Sequence, residues 1–317
     1  MFNFRTTRLG RFINQNLIAI GLAILGFIVI IIVLQILNEG AKENKVIAEV
    51  TNKVTDTTAQ TVVSGSNVSE EKSKANQTAI DTFIQYCNTG KIEEAYNLIS
   101  QDCKNELYPT IEYFRELYWS PVFKTSKSYS IQSWITESGK YTYKVKLLED
   151  MLATGKYDNT KIMEDYFTII NSDDGDKISV NSFVEKKLIN KSNEVNGKIV
   201  TIVSKQVYMD YEVYTIKVEN NSNKTILLDS QESFNYAYLV GQNEVEYDSY
   251  MDEVFFEDLK VEPGQTKNVN IKFNKMYNPS TKIKAIVFSD IISDYDTYIS
   301  LSNKEEYLQR EKVQIDL

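Results

Sequence analysis

Histidine is absent from this 317-residue chain and cysteine occurs only twice, so its carboxylates are the side chains best suited to chemistry. Without an imidazole there is no Ser-His-Asp or Cys-His catalysis, no His-ligated zinc and no imidazole pH sensor. Two cysteines make neither a disulfide scaffold nor a four-cysteine metal site. Cys87 closes a predicted helix, and Cys103 lies about a dozen residues past the next turn. If that stretch is helical they stand roughly 18 Å apart, beyond the Cα limit of about 7 Å for a disulfide. Both read as reduced core residues unless the second helix ends early.

The carboxylates divide into three groups. Glu164 and Asp165 are neighbours in a predicted strand, so they point to opposite faces and make no catalytic pair. Asp173-Asp174-Gly175-Asp176 lacks the bidentate acid at the twelfth position of a helix-loop-helix calcium site and reads as a solvated hairpin turn. The third group is the stretch 244–258. It holds Glu244, Glu246, Asp248, Asp252, Glu253, Glu257 and Asp258 with no base, interleaved with Tyr247, Tyr250, Phe255 and Phe256. Crowded acids repel, whereas aromatics offer contact area. Two readings stand: a loop that meets a basic protein surface or a calcium ion, and a solvated acidic loop with its aromatics turned inward. Candidate partner-binding residues are Glu244, Glu246, Tyr247, Asp248, Tyr250, Asp252 and Glu253. No catalytic, cofactor-binding or metal-binding residue is assigned, because general acid–base work needs two positioned titratable groups and no segment supplies an evident pair.

The elements that must position these residues begin with a membrane segment. Leu17 to Leu34 carries no charged or strongly polar residue, and the run reaches Leu37 if Gln35 is tolerated. At 1.5 Å per residue it spans a hydrocarbon core of about 30 Å, where a helix satisfies every backbone amide internally. The run exceeds a signal-peptide core, and Asn38-Glu39-Gly40-Ala41 offers no small-x-small cleavage site. Arg5, Arg8 and Arg11 precede it without an acid, while Glu39, Lys42, Glu43 and Lys45 nearly cancel behind it. The positive-inside rule then keeps residues 1–16 as a short cytoplasmic tail and exports everything after Leu37. Ala19, Ala23 and Gly26 share one helical face and form a small-residue stripe for helix packing. Residues 38–75 are polar and free of aromatics. Ile47, Val50, Val54, Thr57 and Thr61 continue a helical spacing, and Val63 to Asn67 reads as flexible linker. The stretch is a tether, or a stalk through which the chain self-associates.

Residues 76–188 read as an α+β domain. Helices are expected over Gln77–Cys87, through Ile92, Ala95, Tyr96, Leu98 and Ile99, and from Thr110 through Phe114, Leu117 and Tyr118. Strands follow at Tyr129–Ile135, Tyr141–Leu147, Ile162–Ile170 and Ile178–Val184. The run Phe83-Ile84-Gln85-Tyr86-Cys87-Asn88-Thr89-Gly90-Lys91-Ile92-Glu93-Glu94-Ala95-Tyr96-Asn97-Leu98-Ile99-Ser100 resembles the opening helix pair of the nuclear-transport-factor-2-like superfamily. That resemblance implies a cone of three helices on a curved antiparallel sheet, with a hydrophobic cleft used as an active site or a protein-binding surface. Family enzymes set a carboxylate against a His or Tyr in the cone, and this chain has no His. Membrane-anchored members occur in bacterial secretion and conjugation machines as single-pass proteins with a short cytoplasmic tail.

Residues 195–317 read as all-β. Short strands are expected at Ile199–Val207, Tyr211–Val218, Thr225–Leu228, Phe234–Val240, Leu259–Val261, Val269–Phe273, Ile283–Phe288 and Thr297–Leu301. The stretch Leu259-Lys260-Val261-Glu262-Pro263-Gly264-Gln265-Thr266 resembles the immunoglobulin-like domains of bacterial surface proteins, which implies a β-sandwich used for adhesion or spacing. Ser302 to Lys312 is expected to be a closing helix with Ser302 and Glu305 as its capping box.

The net charge of −9 argues against nucleic acid, which needs a basic footprint. Richness in Lys, Asn, Ile and Tyr fits a low-GC Gram-positive source. The combined expectation is a single-pass cell-membrane protein with its bulk outside, acting as a non-enzymatic scaffold in an envelope assembly whose partners are other envelope proteins. The alternative is an extracytoplasmic ligand-binding or sensing protein that uses the α+β cleft.

Overall fold

The computed structural model describes residues 54–55, 61–137, 139–149, 162–171, 175–232 and 236–317. The expected membrane helix 17–37, with Ala19, Ala23 and Gly26, lies outside the described residues, as do most of the stalk, Asp173 and Asp174. Among the described residues no helix is long and apolar enough to cross a membrane.

Helix α1 (Glu70–Asn88) starts where the Ser69 hydroxyl accepts the Lys72 N–H, with Glu70 and Glu71 in the positive first turn. It buries Ile80, Phe83, Ile84 and Cys87, the i, i+3, i+4, i+7 face. Helix α2 (Ile92–Leu98) follows a turn at Gly90, whose φ of 71° suits glycine. A helix absent from the sequence reading, α3 (Gln101–Leu107), is capped by the Ser100 hydroxyl. The expected third helix is α4 (Ile111–Phe114), which passes through a π-helical turn (Arg115–Trp119) into α5 (Ser120–Phe123). The Ser120 N–H reaches Arg115 O there, and Pro121 supplies no amide to continue the ladder.

Strands β2 (Lys127–Glu137), β3 (Lys140–Glu149), β4 (Ile162–Ile170) and β5 (Lys177–Ser179) form an antiparallel meander, and the backbone of β1 (Val54–Thr55) adds to β2 in parallel. Helices and sheet share one core built from Phe83, Phe114, Tyr118, Val145 and Phe167. The expected linker at Val63–Asn67 belongs to this body. The amide of Val63 bonds Trp134 O at 2.9 Å and the Ser64 hydroxyl accepts the Thr136 N–H at 3.1 Å. Edge pairing satisfies backbone groups that composition alone marks as loop.

Strands β6 (Phe183–Val195), β7 (Lys198–Tyr208), β8 (Glu212–Asn220) and β13 (Thr266–Phe273) make a four-stranded sheet in the order β13-β8-β7-β6. Strands β9 (Ile226–Leu227), β10 (Tyr238–Gly241), β11 (Glu246–Asp248), β12 (Lys260–Val261), β14 (Ile283–Ile292) and β15 (Arg310–Asp316) make a six-stranded one. All their pairings are antiparallel, and the two sheets share a core in which Val200, Ile202, Tyr214 and Ile216 meet Leu239, Ile286, Phe288 and Val313. Mostly antiparallel sheets with few helices make the described chain α+β.

The boundary expected between residues 188 and 195 meets β6, a continuous strand whose Phe183 end lies in the first core while Val195 packs on the second. Two expectations are corrected. Thr297–Leu301 is helical, α7 (Tyr295–Ser300), because Asp294 caps it by accepting the Thr297 N–H at 3.1 Å. The expected closing helix 302–312 is a single 3-10 turn (Lys304–Glu306) followed by β15. Val313 and Ile315 are buried in alternation, and pairing with β14 outweighs the weak helical pattern.

Candidate functional site

The acidic stretch forms β11, a 3-10 turn (Met251–Glu253) and the short helix α6 (Phe256–Leu259). Met251 and Leu259 are buried, and Tyr247, Val254 and Phe256 pack against the core of the paired sheets. Part of the basic partner is supplied by the chain itself. Lys284 reaches Glu244 at 2.6 Å, and Lys272 reaches Glu253 at 3.3 Å while its Nζ lies 4.4 Å from the Tyr250 ring. Glu246, Asp248 and Asp252 remain exposed, and Phe255 is 79% exposed. Among the described residues no group of three or more His, Cys, Asp or Glu is placed to hold a metal ion.

Glu164 and Asp165 point apart as expected. Glu164 pairs with Lys144 at 2.7 Å near the surface, and Asp165 is buried in the α+β core. There the Tyr118 hydroxyl donates to Asp165 Oδ2 at 2.8 Å, the Asn181 amide to Oδ2 at 3.0 Å, and the Ser182 and Tyr166 amides to Oδ1 at 2.9 and 2.7 Å. Burial pushes the Asp165 carboxyl up, and these donors oppose it. Asn181 and Ser182 have φ of 57° and 60°, a tight turn in the left-handed region, and Asp165 holds both amides. The surrounding space is filled with rings. Tyr118 stacks on Phe114 with centroids 5.7 Å apart, and Phe83 meets Phe167 edge-on at 5.6 Å. Cys87 and Cys103 are buried free thiols, and burial pushes Cys103 up to about 12. Asp165 with Tyr118 is a carboxylate set against a tyrosine, but its lone pairs are committed to the fold.

A second buried carboxylate group sits in the six-stranded sheet. Asp290 accepts from Arg310 and from the Ser230 hydroxyl. Among the described residues Asp229 has no ion-pair partner; it accepts the Gln231 and Ala237 amides at 2.7 and 3.1 Å. Burial raises its carboxyl to about 7, and Asp290 and Glu232 add to the rise.

A polar cavity lies where the first sheet meets the four-stranded one. It measures about 200 Å³, and its charged walls are Glu137, Glu185, Lys187, Lys205, Glu212, Lys275 and Lys282. Two bulges put them there. A register shift between Ile202 and Ser204 sets Lys205 opposite Tyr214, on the inner face, and another between Phe183 and Glu185 sets Glu185 opposite Val207. Glu212 accepts from Lys275 at 3.0 Å, from Lys205 at 3.4 Å and from the Tyr214 hydroxyl at 2.7 Å. Burial pushes Glu212 up, but the two lysines pull harder and leave it below the usual range. Tyr277 donates to Glu137 at 2.6 Å and packs with Ile135, Val184, Val207 and Met209 in an apolar cluster beside the cavity. Sequence reasoning missed this site, because strict alternation from Val200 and Ile202 turns Lys205 to the opposite face.

Comparison with family models, with characterised proteins and with solved structures finds no match for this chain.

Proposed function

We propose that the chain is a membrane-anchored, outward-facing, non-enzymatic interaction protein of a bacterial envelope assembly, secretion and conjugation being the processes it fits. The observation that carries the reading is Phe255, 79% exposed in a stretch where Asp252, Glu253, Glu257 and Asp258 are exposed as well. A phenyl ring left in water forgoes about 2 kcal/mol of burial, which a partner surface recovers. The acids around it select a partner that is basic. The apolar run Leu17–Leu37 behind Arg5, Arg8 and Arg11 supports the anchor and its orientation. The commitment of Asp165 to four donors within the fold supports a structural interior rather than a catalytic one. In this reading the helices on the first sheet are a nuclear-transport-factor-2-like module, and the two sheets that share a core are an immunoglobulin-like sandwich. Both serve as rigid presentation platforms.

The test is a photo-crosslinking amino acid at position 255 in the full chain, in intact cells, with mass spectrometry of the products. A crosslink to an envelope protein through a basic surface supports the proposal. Adducts that do not change when Asp252, Glu253 and Glu257 are neutralised would contradict it. External protease should remove the bulk of the chain from the same cells.

A further inference from the structure

Lys187 on β6 is the direct cross-strand partner of Lys205 on β7. Like charges placed directly opposite repel, so this pair needs negative charge close by. The neighbouring carboxylates are already shared. Glu185 binds Lys187 at 2.7 Å and Lys140 at 2.6 Å, and Glu212 serves Lys275 at 3.0 Å and Lys205 at 3.4 Å. Glu137 takes the Tyr277 hydroxyl at 2.6 Å, with Lys140 farther off at 3.8 Å. In the cavity lining three carboxylates therefore stand against four ammonium groups, those of Lys187, Lys205, Lys275 and Lys282. This surplus sits in a chain whose net charge is −9.

Lys205 is less well satisfied than Lys275, with which it shares Glu212. Its Nζ stands 3.4 Å from both Glu212 oxygens, longer than the roughly 2.8 Å of a charge-assisted hydrogen bond. Burial lowers the Lys205 pKa, and the like charges of Lys275 and Lys187 lower it further against the pull of Glu212. A desolvated cation without full compensation is a place where a counter-charge binds.

We propose that this cavity binds a small oxyanion, a carboxylate or phosphate group, held between the Nζ atoms of Lys187 and Lys205 with Lys275 behind them. The volume of about 200 Å³ suits a few heavy atoms and is too small for a nucleotide or a peptide. The walls come from both the first sheet and the four-stranded sheet, so the bound anion joins the two and stabilises the folded chain.

The experiment is thermal unfolding of the full chain in detergent, at ionic strength held constant with chloride, using inorganic phosphate or succinate as the probe. A saturable rise in melting temperature with either probe is expected. A rise with phosphate alone assigns a phosphate group, and one with succinate alone assigns a carboxylate. In Lys187→Met, whose side chain is 46% exposed, apparent binding should weaken by about tenfold or more. Lys205→Met should abolish it, and Lys217→Met, on the outer face beside Glu219, should leave it unchanged. No rise beyond chloride with either probe overturns the proposal, as does a rise that Lys187→Met leaves intact.

Discussion

Asp165 on β4 accepts the backbone amide of Ser182 at 2.9 Å, so a carboxylate in one strand clamps the turn between β5 and β6. That turn redirects the chain from the first sheet into the four-stranded one, and its two residues hold positive φ only because Asp165 satisfies their amides.

Replacing Asp165 by Ala should destabilise the protein by about 3 kcal/mol, because the amides of Tyr166, Asn181 and Ser182 and the Tyr118 hydroxyl lose a buried acceptor together. Tyr118→Phe removes one donor and should cost about 1 kcal/mol. Urea titrations of both variants check the ratio; equal costs would mean that the turn does not depend on Asp165.

Glu212 and Lys275 have side chains only 2% and 3% exposed. Glu212→Gln should cost about 3 kcal/mol by leaving Lys275 buried without its partner, and adding Lys275→Met should recover much of that. A double-mutant cycle in urea reads the coupling, and additive costs would refute the pairing.

Burial pushes the Asp229 carboxyl up to about 7, well above the ordinary range of an aspartate. Its folded pKa is raised, so its contribution is complete below the unfolded pKa of about 3.9 and is lost as pH rises toward 7. Stability should therefore fall across that window through this group, and Asp229→Asn should flatten the fall. Unfolding free energies at pH 4.5 and 7.5, compared between the two proteins, check the sign.

Gly197 has φ of 74° and Asn196 has 49°, the two central residues of the hairpin between β6 and β7. An added Cβ at 197 would also stand 3.4 Å from the Asn221 backbone. Gly197→Ala should cost about 1 kcal/mol or more, whereas Asn196→Gly should be nearly neutral. Thermal melts of the two variants separate the backbone requirement from side-chain effects.

What could be read locally was read correctly wherever the local pattern and the fold agree. The stripe Ile80, Phe83, Ile84, Cys87 marks a helix face whatever it packs on, and the opposite facing of Glu164 and Asp165 follows from the pleat alone. Local reading failed at 297–301 and 302–312. In the first a single Asp294 cap turned a β-branched run into helix, and in the second the free edge of β14 recruited a strand.

The charged cavity depends on distance along the chain. Glu137, Glu185, the hairpin pair Lys205 and Glu212, and Lys275 come from separate parts of the sequence, and they converge because β6 spans both cores and two bulges reverse the facing of its end and of its neighbour's. A bulge is a register event between strands, set by how both pack rather than by either strand's composition. The amino-acid sequence by itself determined the apolar N-terminal run, the absence of imidazole chemistry, the helical and alternating periods and the acidic–aromatic stretch, all of which are short-range or compositional. Tertiary structure alone decided which lysines face which carboxylates, because that facing is a property of pairs of strands brought together by folding.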